Sequence, residues 1–127
     1  MIYQEQTMFG DGSDGKEAGN CFAACIAAIL ELPIDEVPNF VDSDNSWNNV
    51  QEFLKPFGYS LIKIYIQEGN FSCAHSGFSI AFGPADRGYN HCVVCYGGTS
   101  IMDPHPANTF LNEIEGFYFF ASLKPNK

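Results

Sequence analysis

Nine consecutive apolar residues, Phe22 to Leu30, follow a polar stretch that ends in Gly19, Asn20 and Cys21. Four alanines inside this run favour helix, and its apolar character extends all the way round instead of along one stripe. Such a helix is stable in water only when other elements enclose it. The segment is therefore expected as a buried central helix over residues 21–31, with Asn20 as its N-cap and Pro33 beyond its end. Covering it takes apolar surface, and the chain has enough: 46% of its 127 residues are hydrophobic and 17% charged. One domain spanning residues 1–127 accounts for that length, and disorder throughout does not fit that composition.

The flanking sequence falls into two halves. Residues 9–20 carry glycines and acids without apolar periodicity and read as a loop. Pro33 and Pro38 bracket a single turn of helix. Ser46 caps a second helix, Trp47 to Lys55, with Trp47, Val50, Phe53 and Leu54 on one stripe, so Trp47 is expected in the core. From Tyr59 onward the pattern changes to short aromatic or β-branched runs, at 59–66, 78–82, 91–96, 99–103 and 117–123. Helices followed by strands predict an α+β domain with a mostly antiparallel sheet.

Charge and cysteine usage narrow the function. A net charge of −9 argues against a nucleic-acid partner. Ten of the acids fall within residues 1–52 beside a single lysine, Lys16, so a cationic partner or substrate would approach that half. No apolar run reaches the roughly 18 residues of a membrane span, and the start lacks a secretory pattern, so a cytoplasmic protein without a membrane partner is expected. An odd number of cysteines, 5, argues against a disulfide framework and leaves at least one thiol free. Zinc fits poorly, because Cys92 and Cys95 lie three apart on a strand and face opposite sides. No coenzyme motif is visible, so neither metal nor cofactor is expected.

Cys21 is the thiol to follow. In the first turn of a helix, unpaired backbone N–H groups and the positive end of the dipole favour thiolate over thiol. Those same N–H groups suit an oxyanion that forms beside the sulfur. Cys25, one turn deeper, reads as a small core residue. His91 opens a strand and is a candidate base, and Asp103 on the next strand is a candidate to orient it. Register decides whether they meet. A two-residue turn at Gly97-Gly98 sets Asp103 on the face opposite His91, whereas a three-residue loop pairs Tyr96 with Ser100 and Val93 with Asp103, bringing both onto one face. An odd-numbered loop or a bulge is therefore expected. His105 is an alternative base and His75 a surface bystander. Arg87 and Trp47 are candidates for holding substrate, Arg87 through a carboxylate and Trp47 as a groove wall.

Gly-Asn-Cys-Phe-Ala-Ala-Cys-Ile-Ala-Ala-Ile-Leu, followed by His-Cys-Val-Val-Cys-Tyr-Gly-Gly-Thr-Ser-Ile-Met-Asp-Pro, resembles the papain-like cysteine peptidases. The likeness is greatest to the small branch that includes leader peptidases of bacteriocin exporters, and to small phage and bacterial proteins with Leu-Pro-Ile-Asp-Glu-Val-Pro and Asp-Pro-His-Pro segments. It covers about residues 6–106. The resemblance implies a papain-like fold in which Cys21 is nucleophile, His91 base and acid, and Asp103 its orienter. It implies a thiol hydrolase acting on a peptide or protein substrate through a thioester. Those peptidases carry an oxyanion-hole glutamine shortly before the nucleophile, a place that residues 15–19 leave without one, so Gln6 or Asn20 is the expected substitute, with Gln6 favoured. Two other readings stand beside it: a binding protein that keeps the shape without catalysis, and an acyltransferase or deamidase on the same residues.

Overall fold

The computed structural model describes residues 1–7, 19–40, 46–66, 77–84, 90–97, 99–106 and 110–123. Helix α1 (Cys21–Leu30) ends at Glu31 in the left-handed conformation, and a 3-10 turn (Ile34–Glu36) follows, seated between Pro33 and Pro38. Helix α2 (Ser46–Leu54) runs on through a second 3-10 turn (Lys55–Phe57) into the strands. These are β1 (Tyr59–Tyr65), β2 (Phe78–Pro84), β3 (Asn90–Tyr96), β4 (Thr99–Met102) and β5 (Gly116–Ser122). They form one five-stranded sheet of order β1-β5-β2-β3-β4 with every neighbouring pair antiparallel. The α+β expectation holds, with each strand within two residues of its expected bounds.

Helix α1 lies against β3 and β2, and α2 against β1. Ala23 to Ala28 are each at most 1% exposed, closed in by Leu61, Ile80, Val94 and Met102 of the sheet and by Val37, Phe40, Val50 and Leu54. Alanine matters here for its size as much as for its helix propensity. Replacing one that faces the sheet by a larger residue overpacks the contact at a cost of about 1–3 kcal/mol. The opposite face of the sheet carries a second cluster of Ala81, Val93, Cys95 and Phe117. Cys92 packs with the α1 side and Cys95 with the other, as their spacing requires.

The first seven residues strap α1 to the far edge of the sheet. Ile2 N–H donates to the Ala28 carbonyl at 3.0 Å, and Gln6 N–H donates to the Pro104 carbonyl at 2.9 Å. Thr7 then meets Asn20: its N–H donates to Asn20 Oδ1, and Asn20 Nδ2 donates to Thr7 Oγ1, both at 2.8 Å. Asn20 does occupy the N-cap position, but its side chain makes no capping hydrogen bond because the amide is taken by this strap. That corrects the cap expectation: an asparagine amide bonds whichever partner packing brings to it. Trp47 also departs from expectation, at 42% exposed, while Val50 and Leu54 on the same helix are buried. No helix among the described residues is long and apolar enough to cross a membrane.

Candidate active site

Asp103 reaches the side of the sheet occupied by His91 through a bulge. Tyr96 pairs with Thr99 and Cys95 with Ser100, the register of a two-residue connection, with Gly97 at φ 59° in its first position. One pair later the register shifts and Val94 pairs with Met102, so Ile101 is the extra residue. The parity change that a three-residue loop would have supplied is made inside the strand instead. Continued past Met102, the shifted register sets Asp103 opposite Val93, on the same face as His91.

The two side chains meet in the interior. His91 is 2% exposed and Asp103 0%, and His91 Nε2 lies 2.6 Å from Asp103 Oδ1. The carboxylate also accepts from the His105 N–H at 2.8 Å and the Phe110 N–H at 2.7 Å. Phe110 donates from the left-handed region, at φ 61°, a strained conformation for an aromatic residue and one that aims its N–H at Oδ2. Burial raises the Asp103 carboxyl, but the hydrogen bonds from His91, His105 and Phe110 outweigh it and hold the group below its ordinary value. Burial likewise opposes a charged His91, yet hydrogen bonding to Asp103 and to Cys21, with the charge of both, raises the imidazole to about 9.

Cys21 is the first residue of α1 and partly exposed. The helix's first backbone bond runs from Ala24 N–H to the Asn20 carbonyl at 2.9 Å, so the N–H groups of Cys21, Phe22 and Ala23 have no acceptor within the helix. Cys92 and His91 are the neighbours that act most strongly on its thiol in the direction of the thiolate. The Cys92 contact is the largest influence and lowers its pKa, burial opposes, and His91 adds a hydrogen bond and a positive charge; the sum holds Cys21 well below the ordinary thiol range. Cys92 answers in the opposite sense, pushed well up by its bond to Cys21 and by burial, so it stays a thiol and serves as donor. With Nε2 of His91 committed to Asp103, Nδ1 is the ring nitrogen left for the Cys21 sulfur.

The remaining candidates are distributed around this centre. Gln6 is 5% exposed, one residue before the Asn20 tether and with its own N–H on Pro104, so the strap lodges it between the helix start and Asp103. Asn20 lies beside Cys21, but its amide is engaged by Thr7 at 2.8 Å. The His105 ring packs edge-on to His91 at 6.2 Å between centroids. Trp47 stands 6.3 Å from Tyr118, whose ring is 4.9 Å from Phe22, next to Cys21. Arg87 and His75 lie outside the described residues.

Sequence reasoning missed Cys92 as a neighbour of Cys21. The signal was present, since strand alternation turns Cys92 toward α1 when Cys95 turns away. It also missed Lys63 of β1, whose charge acts on Cys92. Among the described residues no group of three or more His, Cys, Asp or Glu is arranged to hold a metal ion. No family model, curated protein or solved structure matches the chain.

Proposed function

We propose that this protein is a thiol hydrolase of papain-like type, cleaving a peptide or amide bond through a thioester on Cys21. The observation that carries the reading is the buried 2.6 Å contact of His91 Nε2 with Asp103 Oδ1, with Cys21 near enough to the same imidazole to raise it. That arrangement supports a thiolate and an imidazolium at neutral pH, the resting form that cysteine hydrolysis requires.

Cys21 attacks the substrate carbonyl as thiolate. The oxyanion forms at the start of α1, where the Cys21 N–H and the Gln6 amide are the donors at hand. His91, held charged by Asp103, gives its proton to the departing amine, and the thioester remains on sulfur. Water then enters, His91 takes a proton from it, and the hydroxide displaces Cys21 and releases the acid. Asp103 stays ionised and fixes the ring throughout.

Iodoacetamide tests the reading without knowledge of the substrate. At pH 7 Cys21 is expected to be alkylated at least roughly 100-fold faster than Cys25 or Cys92, since a thiol of ordinary pKa already gives that margin and both of these are pushed above it. Turnover is then sought with a quenched-fluorescence peptide library, wild type against Cys21→Ala. Slow and equal labelling of all the thiols would defeat the proposal and favour a binding protein.

A further inference from the structure

The sheet face beside the thiol carries a cation that the chemistry above does not use. On β1, Leu61 is buried under the helices, so Lys63 and Tyr65 leave the same side two and four residues on. The strand registers set two rows across this face. Lys63 pairs with Tyr118 and Tyr118 with Ile80, while Tyr65 pairs with Gly116, Gly116 with Phe82, and Phe82 with Cys92. The second row thus runs from Tyr65 to the residue that hydrogen-bonds Cys21.

Gly116 is the gap in that row. A Cβ there would meet Phe82 Cζ at 2.3 Å and the Ile64 carbonyl oxygen at 2.4 Å, so the Phe82 ring lies over the bare backbone and leans toward β1. Lys63 Nζ covers the resulting platform, 4.9 Å from the Tyr65 ring centroid, 5.0 Å from Phe82 and 5.4 Å from Tyr118. The platform rings pack on each other, Phe82 with Tyr118 at 5.0 Å and Tyr65 with Phe82 at 5.5 Å, which fixes where the ammonium rests. Among the described residues no carboxylate lies within ion-pairing distance of Lys63, in a chain of net charge −9. Burial disfavours its charge, but the neighbouring Tyr65 and Tyr118 outweigh this and hold the amine above its ordinary value, so it is protonated at neutral pH.

We propose that Lys63, seated on the Tyr65, Phe82 and Tyr118 rings, is a specificity-determining residue that receives a substrate carboxylate beside the bond attacked by Cys21. The spacing suits a peptide. Phe82 stands one strand from Cys92, about 4.8 Å, and Nζ lies 5.0 Å from its ring, so the cation is on the order of 10 Å from Cys92, the neighbour of the Cys21 thiol. An extended peptide advances about 3.3 Å per residue, so an acidic side chain, or a terminal carboxylate, within the next two residues spans the gap. The aromatic platform excludes water from one side of the ion pair, which strengthens it relative to a solvated one. The net charge of the chain repels anions at long range, so a preference for an anionic substrate has to come from this local feature.

This inference rests on Cys21 being the nucleophile, and the test separates the two. Three electrophiles are compared, each losing iodide to the Cys21 thiolate: iodoacetyl-glutamate α-amide, iodoacetyl-glutamine free acid and the neutral iodoacetyl-glutamine α-amide. At low ionic strength one or both anionic probes are expected to label Cys21 about tenfold faster than the neutral one, an advantage that shrinks as salt is added. A fast glutamate α-amide identifies a side-chain carboxylate as the ligand, and a fast free acid a terminal one. The anionic-to-neutral ratio is expected to fall to about one in Lys63→Gln, to drop below one in Lys63→Glu, and to persist in Lys63→Arg, which separates loss of charge from loss of fold. A ratio near one in the wild type, or one unchanged by Lys63→Gln, overturns the assignment. Slow, uniform labelling of all thiols by the neutral probe overturns the nucleophile reading instead, and this one with it.

Discussion

Cys21 and Cys25 sit about one turn apart on α1, about 6 Å along the axis, and their thiols are driven in opposite directions. Cys25 is 0% exposed among alanines and Ile26; burial, followed by the charges of Cys21, Asp103 and Cys95, pushes its thiol well above the ordinary value. Cys21 is also largely enclosed, yet its bonds to Cys92 and His91 hold it well below. The helix end alone does not account for the contrast. A helix dipole contributes about 0.3–1 kcal/mol at such a site, less than one pKa unit at 1.36 kcal/mol per unit. Strand β3 therefore makes the difference: its first residues, His91 and Cys92, are the neighbours that lower Cys21, while Cys25 is packed among apolar residues.

The largest test of that contrast removes the imidazole. In His91→Ala the Cys21 thiol loses the imidazole's contribution and its positive charge and rises toward the ordinary value, while the Cys92 contact still lowers it. Its alkylation rate is expected to fall roughly 10-fold or more, toward that of Cys25, as followed by mass spectrometry of the labelled peptides. A Cys21 that stays fast in this variant would show that Cys92 and the helix end suffice, and would break the attribution to His91.

A smaller effect is expected at the strap. Asn20→Ala removes both 2.8 Å bonds to Thr7, at about 1–3 kcal/mol by urea unfolding. Asn20→Ser tests which job the residue does, because serine is an equally good cap but too short to make both Thr7 bonds. It should recover little of the loss, and Cys21 labelling should slow in both variants while Cys25 stays unreactive. Full recovery by serine would make Asn20 a cap after all.

These positions also show what a sequence can express. The apolar run at 22–30 has only one stable environment, so α1 was legible to within a residue. The need for His91 and Asp103 to share a face was legible as a matter of parity, but the place where parity changes was not. A glycine at 97 or an extra residue at 101 satisfies it equally, and packing chose the second. Asn20 was legible as a position and not as a role, because a cap and a tertiary partner compete for one amide. Strand β2 runs past its expected end through Gly83 and Pro84, held by tertiary bonds: Glu115 N–H to the Phe82 carbonyl and Asn112 N–H to the Pro84 carbonyl. Lys63 carries no local signal, since its approach to Cys92 depends on a strand order that is not the order of the chain.

Proton linkage sharpens the contrast at a smaller scale. His91, raised from 6.5 to about 9, contributes stability that is complete below pH 6.5 and is lost as pH rises toward 9. Cys21, lowered from 9.0, contributes stability that is complete above pH 9 and is lost as pH falls through its depressed value. Between about pH 6.5 and 9 the folded pair and the unfolded pair each hold one proton, so the two slopes cancel and wild-type stability from this site is flat. Cys21→Ala removes the second, together with the part of the His91 shift that Cys21 supplies, and leaves the part owed to Asp103. Its unfolding free energy should then decline with pH above 6.5, by up to about 1.4 kcal/mol per unit, in urea titrations from pH 6 to 9. Parallel wild-type and variant curves would mean that the thiol does not share a proton with His91.

Cys25→Ala gives the smallest change and the most selective one. The substitution removes one buried sulfur from the α1 core and leaves a cavity of about one atom, with a loss of about 1 kcal/mol in Tm-derived stability. Because Cys25 influences Cys21 only by burial and packing, the alkylation rate of Cys21 and its pH profile should match the wild type. A shift of that profile to higher pH would mean that the second turn of α1 helps position the first, and that the two cysteines form one site instead of two environments that share a helix.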